Sequence, residues 1–126
     1  MITLKHAELF RCDLRARMPF RYGIATMTWV PHVILRVTFE IDGATHTGLA
    51  ADNLPPKWFT KDPTRLLEDE VAEMLGVIRA AVSQARAIRG TTAFAFWQTL
   101  YEAQGAWAEA EKLPPLLSNF GTSFVE

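Results

Sequence analysis

From His32 to Ile41 apolar and polar side chains alternate. Val33, Leu35, Val37, Phe39 and Ile41 fall on one face and His32, Arg36, Thr38 and Glu40 on the other, with only Ile34 out of step. A period of two with β-branched enrichment predicts a strand with one buried face. Asp42-Gly43 follows at once, and an Asp-Gly pair between alternating runs predicts a type I′ hairpin, whose two central residues both need positive φ. Residues 2–15 alternate less cleanly. Ile2 and Leu4 are followed by Leu9, Phe10, Cys12 and Leu14, and the phase slip near Leu9–Phe10 predicts a bulge there. The expected strands cover residues 2–15, 30–41 and 44–50.

The pattern then changes period. Leu67, Val71, Met74, Leu75, Ile78, Val82, Ala85 and Ile88 recur every three or four residues, which predicts a helix over 63–89. Asp62-Pro63 offers an N-cap followed by a proline at the first helical position. Glu68, Asp69 and Glu70 would lie in the first turns and Arg86 and Arg89 in the last, with Gly90 as a left-handed stop. A second helix is expected over 93–112, with Phe94, Trp97, Leu100, Tyr101, Gln104 and Trp107 on a core-facing side. Pro114-Pro115 ends it, and a short helical segment follows over 115–125. Strands first and helices after predict an α+β fold, in which a three-stranded antiparallel meander carries a helical bundle on one face.

Two stretches resist both periods. Met18–Trp29 contains Pro19 and Gly23, and Ala50–Asp62 contains Pro55-Pro56-Lys57-Trp58-Phe59. Both read as loops longer than the ~2–6 residues usual for such connections. Their aromatic content argues for order, and long ordered loops tend to carry function. Phe20 and Tyr22 flank Arg21, while Trp58-Phe59 sits between Lys57 and Lys61. Aromatic side chains with neighbouring cations make a wall for an anionic or sugar-like ligand. The plainer reading is that they anchor the loops to the core.

Composition narrows the classes. The chain has 126 residues, 49% hydrophobic and 21% charged, which suits one globular domain and is too short for a (β/α)₈ barrel of ~250 residues. Thirteen basic and fourteen acidic residues leave a net charge of −1, and no basic stripe points to nucleic acid. The charge is nevertheless uneven: residues 1–36 carry net +4 and residues 37–75 net −5. No apolar run approaches the ~20 residues of a membrane span, and the start lacks an export-type pattern. The single cysteine, Cys12, reads as a small buried hydrophobe in a reducing, cytoplasmic protein.

Chemistry-bearing motifs are scarce. His6, His32 and His46 have no metal-ligand spacing and read as surface or boundary strand residues. Glu68, Asp69, Glu70 and Glu73 read as a helix start favoured by negative charge. There is no G-x-S-x-G elbow and no glycine-rich phosphate cradle. Residues of the chain itself supply neither a catalytic set nor a metal site.

Met18-Pro19-Phe20-Arg21-Tyr22-Gly23, the strand and turn His32–Gly43, and Thr47-Gly48-Leu49-Ala50, taken with the element order, resemble the N-terminal capping domain of the enolase superfamily, in the style of its mandelate racemase and muconate lactonizing branch. The resemblance covers nearly the whole chain. It departs where many members read Gly-x-Gly-Glu at the end of the third strand. What the resemblance implies is a lid: two mobile loops, here Pro19–Thr28 and Ala50–Asp62, closing over a small carboxylate substrate. It also implies that Mg²⁺ and the acid/base groups belong to a partner barrel domain absent from these residues. The substrate contacts expected on this basis are Phe20, Tyr22, Ile24, Lys57, Trp58 and Phe59. Leu116, Leu117, Phe120, Phe124 and Val125 form an apolar set expected to lie bare unless such a partner covers it, which reads as a fragment prone to homo-oligomerise. The alternative is a free-standing, non-enzymatic α+β module that binds a small ligand or dimerises through its helices.

Overall fold

A computed structural model describes all 126 residues. Three antiparallel strands, β1 (Ile2–Tyr22), β2 (Ala25–Ile41) and β3 (Ala44–Asn53), form one sheet in the order β1-β2-β3, and α1 (Leu67–Ala85), α2 (Ala93–Ala110) and α3 (Pro115–Ser123) follow. This is the α+β order that the periodicity predicts. Asp42 (φ 50°) and Gly43 (φ 85°) both take positive φ, as the type I′ turn requires.

The sheet is longer than expected. The stretch Met18–Trp29 is not a loop. β1 runs on to Tyr22, β2 returns from Ala25, and the chain reverses at Gly23-Ile24 with only Gly23 (φ 51°) at positive φ. A glycine at the first central position is the type II′ signature. Between the paired residues Arg15↔Trp29 and Phe20↔Met27 lie four residues of β1, Ala16 to Pro19, against Thr28 alone on β2. Pro19, which cannot donate to a ladder, is accommodated in that bulge. β3 likewise continues to Asn53, so the second connection starts at Leu54 rather than Ala50.

The phase slip in β1 falls at Lys5, not at Leu9–Phe10. Leu4 pairs with Phe39 and His6 with Thr38, so Lys5 is the extra residue. Ile2 and Leu4 face inward before it, and Ala7 and Leu9 after it. The flip turns Phe10, Cys12 and Leu14 outward, where all three are exposed; Cys12 is therefore not a core residue. On that outer face Arg36 bonds Glu8 and lies 5.3 Å from the Phe10 ring centre.

The inner face carries Val33, Leu35 and Val37 against Val71, Met74, Val77, Ile78 and Ala81 of α1, with Leu100 and Leu117 completing the core. α1 starts four residues later than Asp62-Pro63 suggests. Asp62 caps a local turn instead, accepting from Thr64 N (2.8 Å) and Thr64 Oγ1 (2.6 Å). The Asp62 and Arg65 carbonyls both turn to the Lys57 ammonium. α1 also stops early. Arg86 is its C-cap, no basic residue lies in its last turn, and Gly90 has no positive φ. Gly90 forms instead a two-way backbone bridge with Ile2, at 2.7 and 3.0 Å.

α2 keeps Leu100 and Gln104 inward, as expected, but turns Phe94 and Tyr101 outward in favour of Phe96 and Ala108. Its buried row is Phe96, Leu100, Gln104 and Ala108, one turn apart. Phe94 and Tyr101 are exposed and Trp97 is half-buried; the three stack along the outside, with ring centres 5.5 and 5.3 Å apart. The inward side is pinned by Gln104, whose amide donates to Val77 O (3.0 Å) and Ser118 O (3.3 Å) and accepts from Gln84 (2.6 Å). One side chain thus ties three helices together, and a buried amide needs such partners. α3 docks in the same place, because a Cβ on Gly121 would lie only 2.2 Å from Val77 O. Leu117, Phe124 and Val125 join the core, so the apolar set expected to lie bare is covered by the chain itself, apart from Leu116.

Candidate functional site

Strand alternation puts Phe20 and Tyr22 on one face of β1 and Arg21 on the other. Met27 pairs with Phe20 across the hairpin and shares its face. This hairpin tip meets the connection between β3 and α1. A pocket of about 320 Å³ opens between them, lined by Phe20, Tyr22, Met27, Asp52, Asn53, Pro55, Trp58, Phe59 and Phe120. The Phe20 and Tyr22 ring centres are 6.0 Å apart, Tyr22 and Trp58 5.8 Å, and Phe59 and Phe120 5.0 Å, all tilted rather than parallel. Four of the six residues expected from the sequence therefore converge in one cavity. Ile24 sits at the exposed turn tip, outside it.

Lys57 lies apart from this cavity. It is buried at 8% exposure, and its ammonium reaches Asp62 O (2.6 Å), Arg65 O (2.7 Å) and Glu70 Oε2 (3.1 Å). Of the ammonium's three donors, two bond these loop carbonyls and the remaining side faces Glu70 of α1. Glu70 is also buried, yet neither of its oxygens receives a well-aligned hydrogen bond, so the contact with Lys57 acts as a charge pair rather than a directional bond. Lys57 sits at φ 64°, a conformation that side-chain-bearing residues rarely adopt. The kink it makes points Trp58 and Phe59 at the hairpin. A second clamp joins the two walls directly: the Tyr22 hydroxyl donates to Pro56 O at 2.6 Å. Burial, and secondarily the Glu70 charge, raise the Tyr22 pKa.

At the other end of the pocket Asn53 closes β3 opposite His32, with Asn53 Oδ1 and His32 Nδ1 2.9 Å apart. Asp52 accepts from Asn53 N through Oδ1 (2.7 Å) and is exposed. The remaining helix-start carboxylate with a partner is Glu73, bound by both Arg65 guanidinium nitrogens at 3.2 and 3.3 Å. No group of three or more His, Cys, Asp or Glu side chains converges to hold a metal ion. No helix is long and apolar enough to cross a membrane.

The sequence points to four of the five aromatic residues of the site, but not to Phe120, Met27, Asp52, Asn53 or Pro55 as lining. Met27 was recoverable only through the register with Phe20. Asp52 and Asn53 belong to a strand end that read as loop, and Phe120 arrives by tertiary docking of α3. Comparison with protein-family models, with curated proteins and with solved structures finds no match.

Proposed function

We propose that this chain is a substrate-capping, specificity-setting domain of an enolase-type enzyme, acting with a (β/α) barrel that abstracts a proton α to a carboxylate. The observation that carries the reading is the meeting of the hairpin tip and the β3–α1 connection around one aromatic pocket. A lid needs its two specificity segments at one end of the fold, and both are clamped together there. Its contribution is to orient the distal part of a small carboxylate substrate and keep water from the reacting carbon. Mg²⁺, which stabilises the enolate in such chemistry, does not fit the residues of this pocket. Asp52 is the only carboxylate lining it, where Mg²⁺ needs near-octahedral oxygen ligation. In this reading the metal and the acid/base groups belong to the barrel.

The direct test is to read the coding sequence beyond codon 126 and to express the chain with any barrel encoded there. The reading expects co-purification and Mg²⁺-dependent exchange of a substrate α-proton with deuterated solvent, lost without either part. Turnover by the 126-residue chain alone, or the absence of any barrel partner, refutes it. The second reading is a free-standing ligand-binding module. It is favoured by the burial of Leu117, Phe124 and Val125 in the chain's own core.

A further inference from the structure

The lining of the pocket says what kind of group enters it. Nine residues line it, and none is a lysine, arginine or histidine. None of the three cations that the sequence places beside the aromatics lines it, although the Lys61 ammonium lies beside Gly23 at the hairpin turn. Lys57 is saturated by its loop carbonyls and Glu70, Lys61 donates to Lys57 O (3.3 Å), and Arg21 stands on the opposite face of β1. What remains is five aromatic rings, Met27, Pro55, the Asn53 amide and one carboxylate, Asp52. Its Oδ1 accepts from Asn53 N, leaving Oδ2 without a protein partner.

Asp52 Oδ2, the Asn53 amide NH2 and the Trp58 indole N–H are the polar side-chain groups of the lining without a protein partner, a sparse set beside the rings. The Tyr22 hydroxyl is committed to Pro56 O and the Asn53 carbonyl oxygen to His32. An anion would meet the negative faces of the rings and the Asp52 carboxylate. A quaternary ammonium has no N–H and needs no hydrogen-bond partner, and a less alkylated one can donate its N–H to Asp52 Oδ2. Either is held by the faces of aromatic rings and by a nearby counter-charge. The Phe20, Tyr22 and Trp58 rings are inclined to one another by 30° and 57°, so they form walls around a compact group rather than one flat platform. The volume of about 320 Å³ suits a small ligand.

We propose that the pocket binds a quaternary or otherwise alkylated ammonium group, with Phe20, Tyr22 and Trp58 as its cage and Asp52 as its counter-charge. Taken with the capping reading, on which this step rests, the substrate class is a small carboxylate with an alkylammonium at its far end. The cage itself is built wholly from this chain, so it can be tested without a barrel.

The test is an NMR titration of the full chain with choline and with its neutral isostere, 3,3-dimethylbutan-1-ol, read at the Trp58 indole resonance. The expected result is a saturable shift with choline and ~tenfold or more weaker binding of the isostere. Asp52→Asn should weaken choline about three- to tenfold and leave the isostere unchanged. Trp58→Ala, read at the Phe20 and Tyr22 ring resonances, should abolish the saturable choline shift that the parent shows there, while the α2 resonances stay in place. Equal affinity for the two compounds, an unaltered choline response in Asp52→Asn, or no saturable shift at Trp58 with choline overturns the proposal. Those failures remove the ammonium assignment and leave the lid reading standing. Absence of a barrel partner removes the lid reading and leaves the cage.

Discussion

Replacing Lys57 by methionine isolates the clamp that shapes the pocket. Methionine keeps an unbranched stem of similar length, and the strained φ of 64° is present before and after, so backbone strain cancels. Three interactions are lost: the donors to Asp62 O and Arg65 O and the charge facing Glu70. Glu70, at 5% exposure, is then left without a counter-charge. Breaking a buried pair in this way costs about 3–5 kcal/mol, and proximity to the loop surface, where water can relax in, favours the lower end. An unfolding entropy of ~2.1 cal/mol/K per residue gives ~0.26 kcal/mol/K for 126 residues, so 3 kcal/mol corresponds to ~11 °C in Tm. Lys57→Met should therefore lower Tm by roughly 11–15 °C.

The double variant Lys57→Met with Glu70→Met separates charge from packing. It removes the stranded carboxylate and leaves only two carbonyls short of a donor, at about 0.5–1.5 kcal/mol each. It should recover at least half of the lost stability, a coupling of ~2 kcal/mol in a double-mutant cycle followed by thermal and urea unfolding. A single variant that melts within ~3 °C of the parent, or a double variant no more stable than the single, refutes the assignment of Lys57 and Glu70 as a buried structural pair.

Tyr22→Phe removes the hydroxyl that joins hairpin and loop and should cost about 1 kcal/mol at neutral pH. Its alkaline behaviour has a definite sign. Because the folded pKa lies above the ordinary 10.0, the unfolded chain loses this proton first, so Tyr22 stabilises fully below pH 10 and that contribution is lost as pH rises through the folded value. Tm measured between pH 9 and pH 11 should fall more steeply in the parent than in Tyr22→Phe, and parallel curves contradict the account. Gly121→Ala should cost more than about 3 kcal/mol in urea unfolding, since its Cβ would strike Val77 O at 2.2 Å, whereas Gly105→Ala, with open space at the Cβ, should gain about 0.5–1 kcal/mol of helix stability. Trp58→Ala should shift Tm by no more than a few degrees, about 1 kcal/mol, because the side chain is 54% exposed, while abolishing ligand binding; equal losses would mark Trp58 as an anchor.

The strand pairing and the helix order were legible because they depend on local signals that agree with one another. β2 alternates, Asp42-Gly43 forms the turn its composition demands, and Thr92 caps α2 by accepting from Ala95 N. The bulge at Lys5 was hidden because both faces of β1 carry large apolar residues. With Leu9 inside and Phe10 and Leu14 outside, hydrophobicity alone cannot place the slip. The hairpin was hidden by Pro19, which looks like a strand terminator until the bulge around it is known. In the pocket, the loop aromatics stood out because nothing in either period accounted for them. The fate of the neighbouring cations could not be read, since it depends on where a buried carboxylate from α1 lies. The same Lys57 that reads as a ligand-facing charge in the sequence becomes an internal brace once Glu70 is beside it.

α2 makes the general point most sharply. Its sequence offers two competing stripes, Phe94-Trp97-Tyr101 and Phe96-Leu100-Gln104-Ala108, and transfer free energy favours burying the aromatic one. The helix instead buries Phe96 and Leu100 with an amide and an alanine, and leaves two of the three aromatics of the other stripe exposed. Shape explains the reversal. α3 approaches α1 closely enough that Gly121 touches the Val77 carbonyl region, and the third helix must present a donor to that junction. The Gln104 amide supplies the donor, reaching Val77 O and Ser118 O at once. Phe94, Trp97 and Tyr101 recover part of their burial by stacking on one another. Hydrophobic periodicity locates a helix; the polar group that must be satisfied at a three-helix junction sets which side of it turns inward.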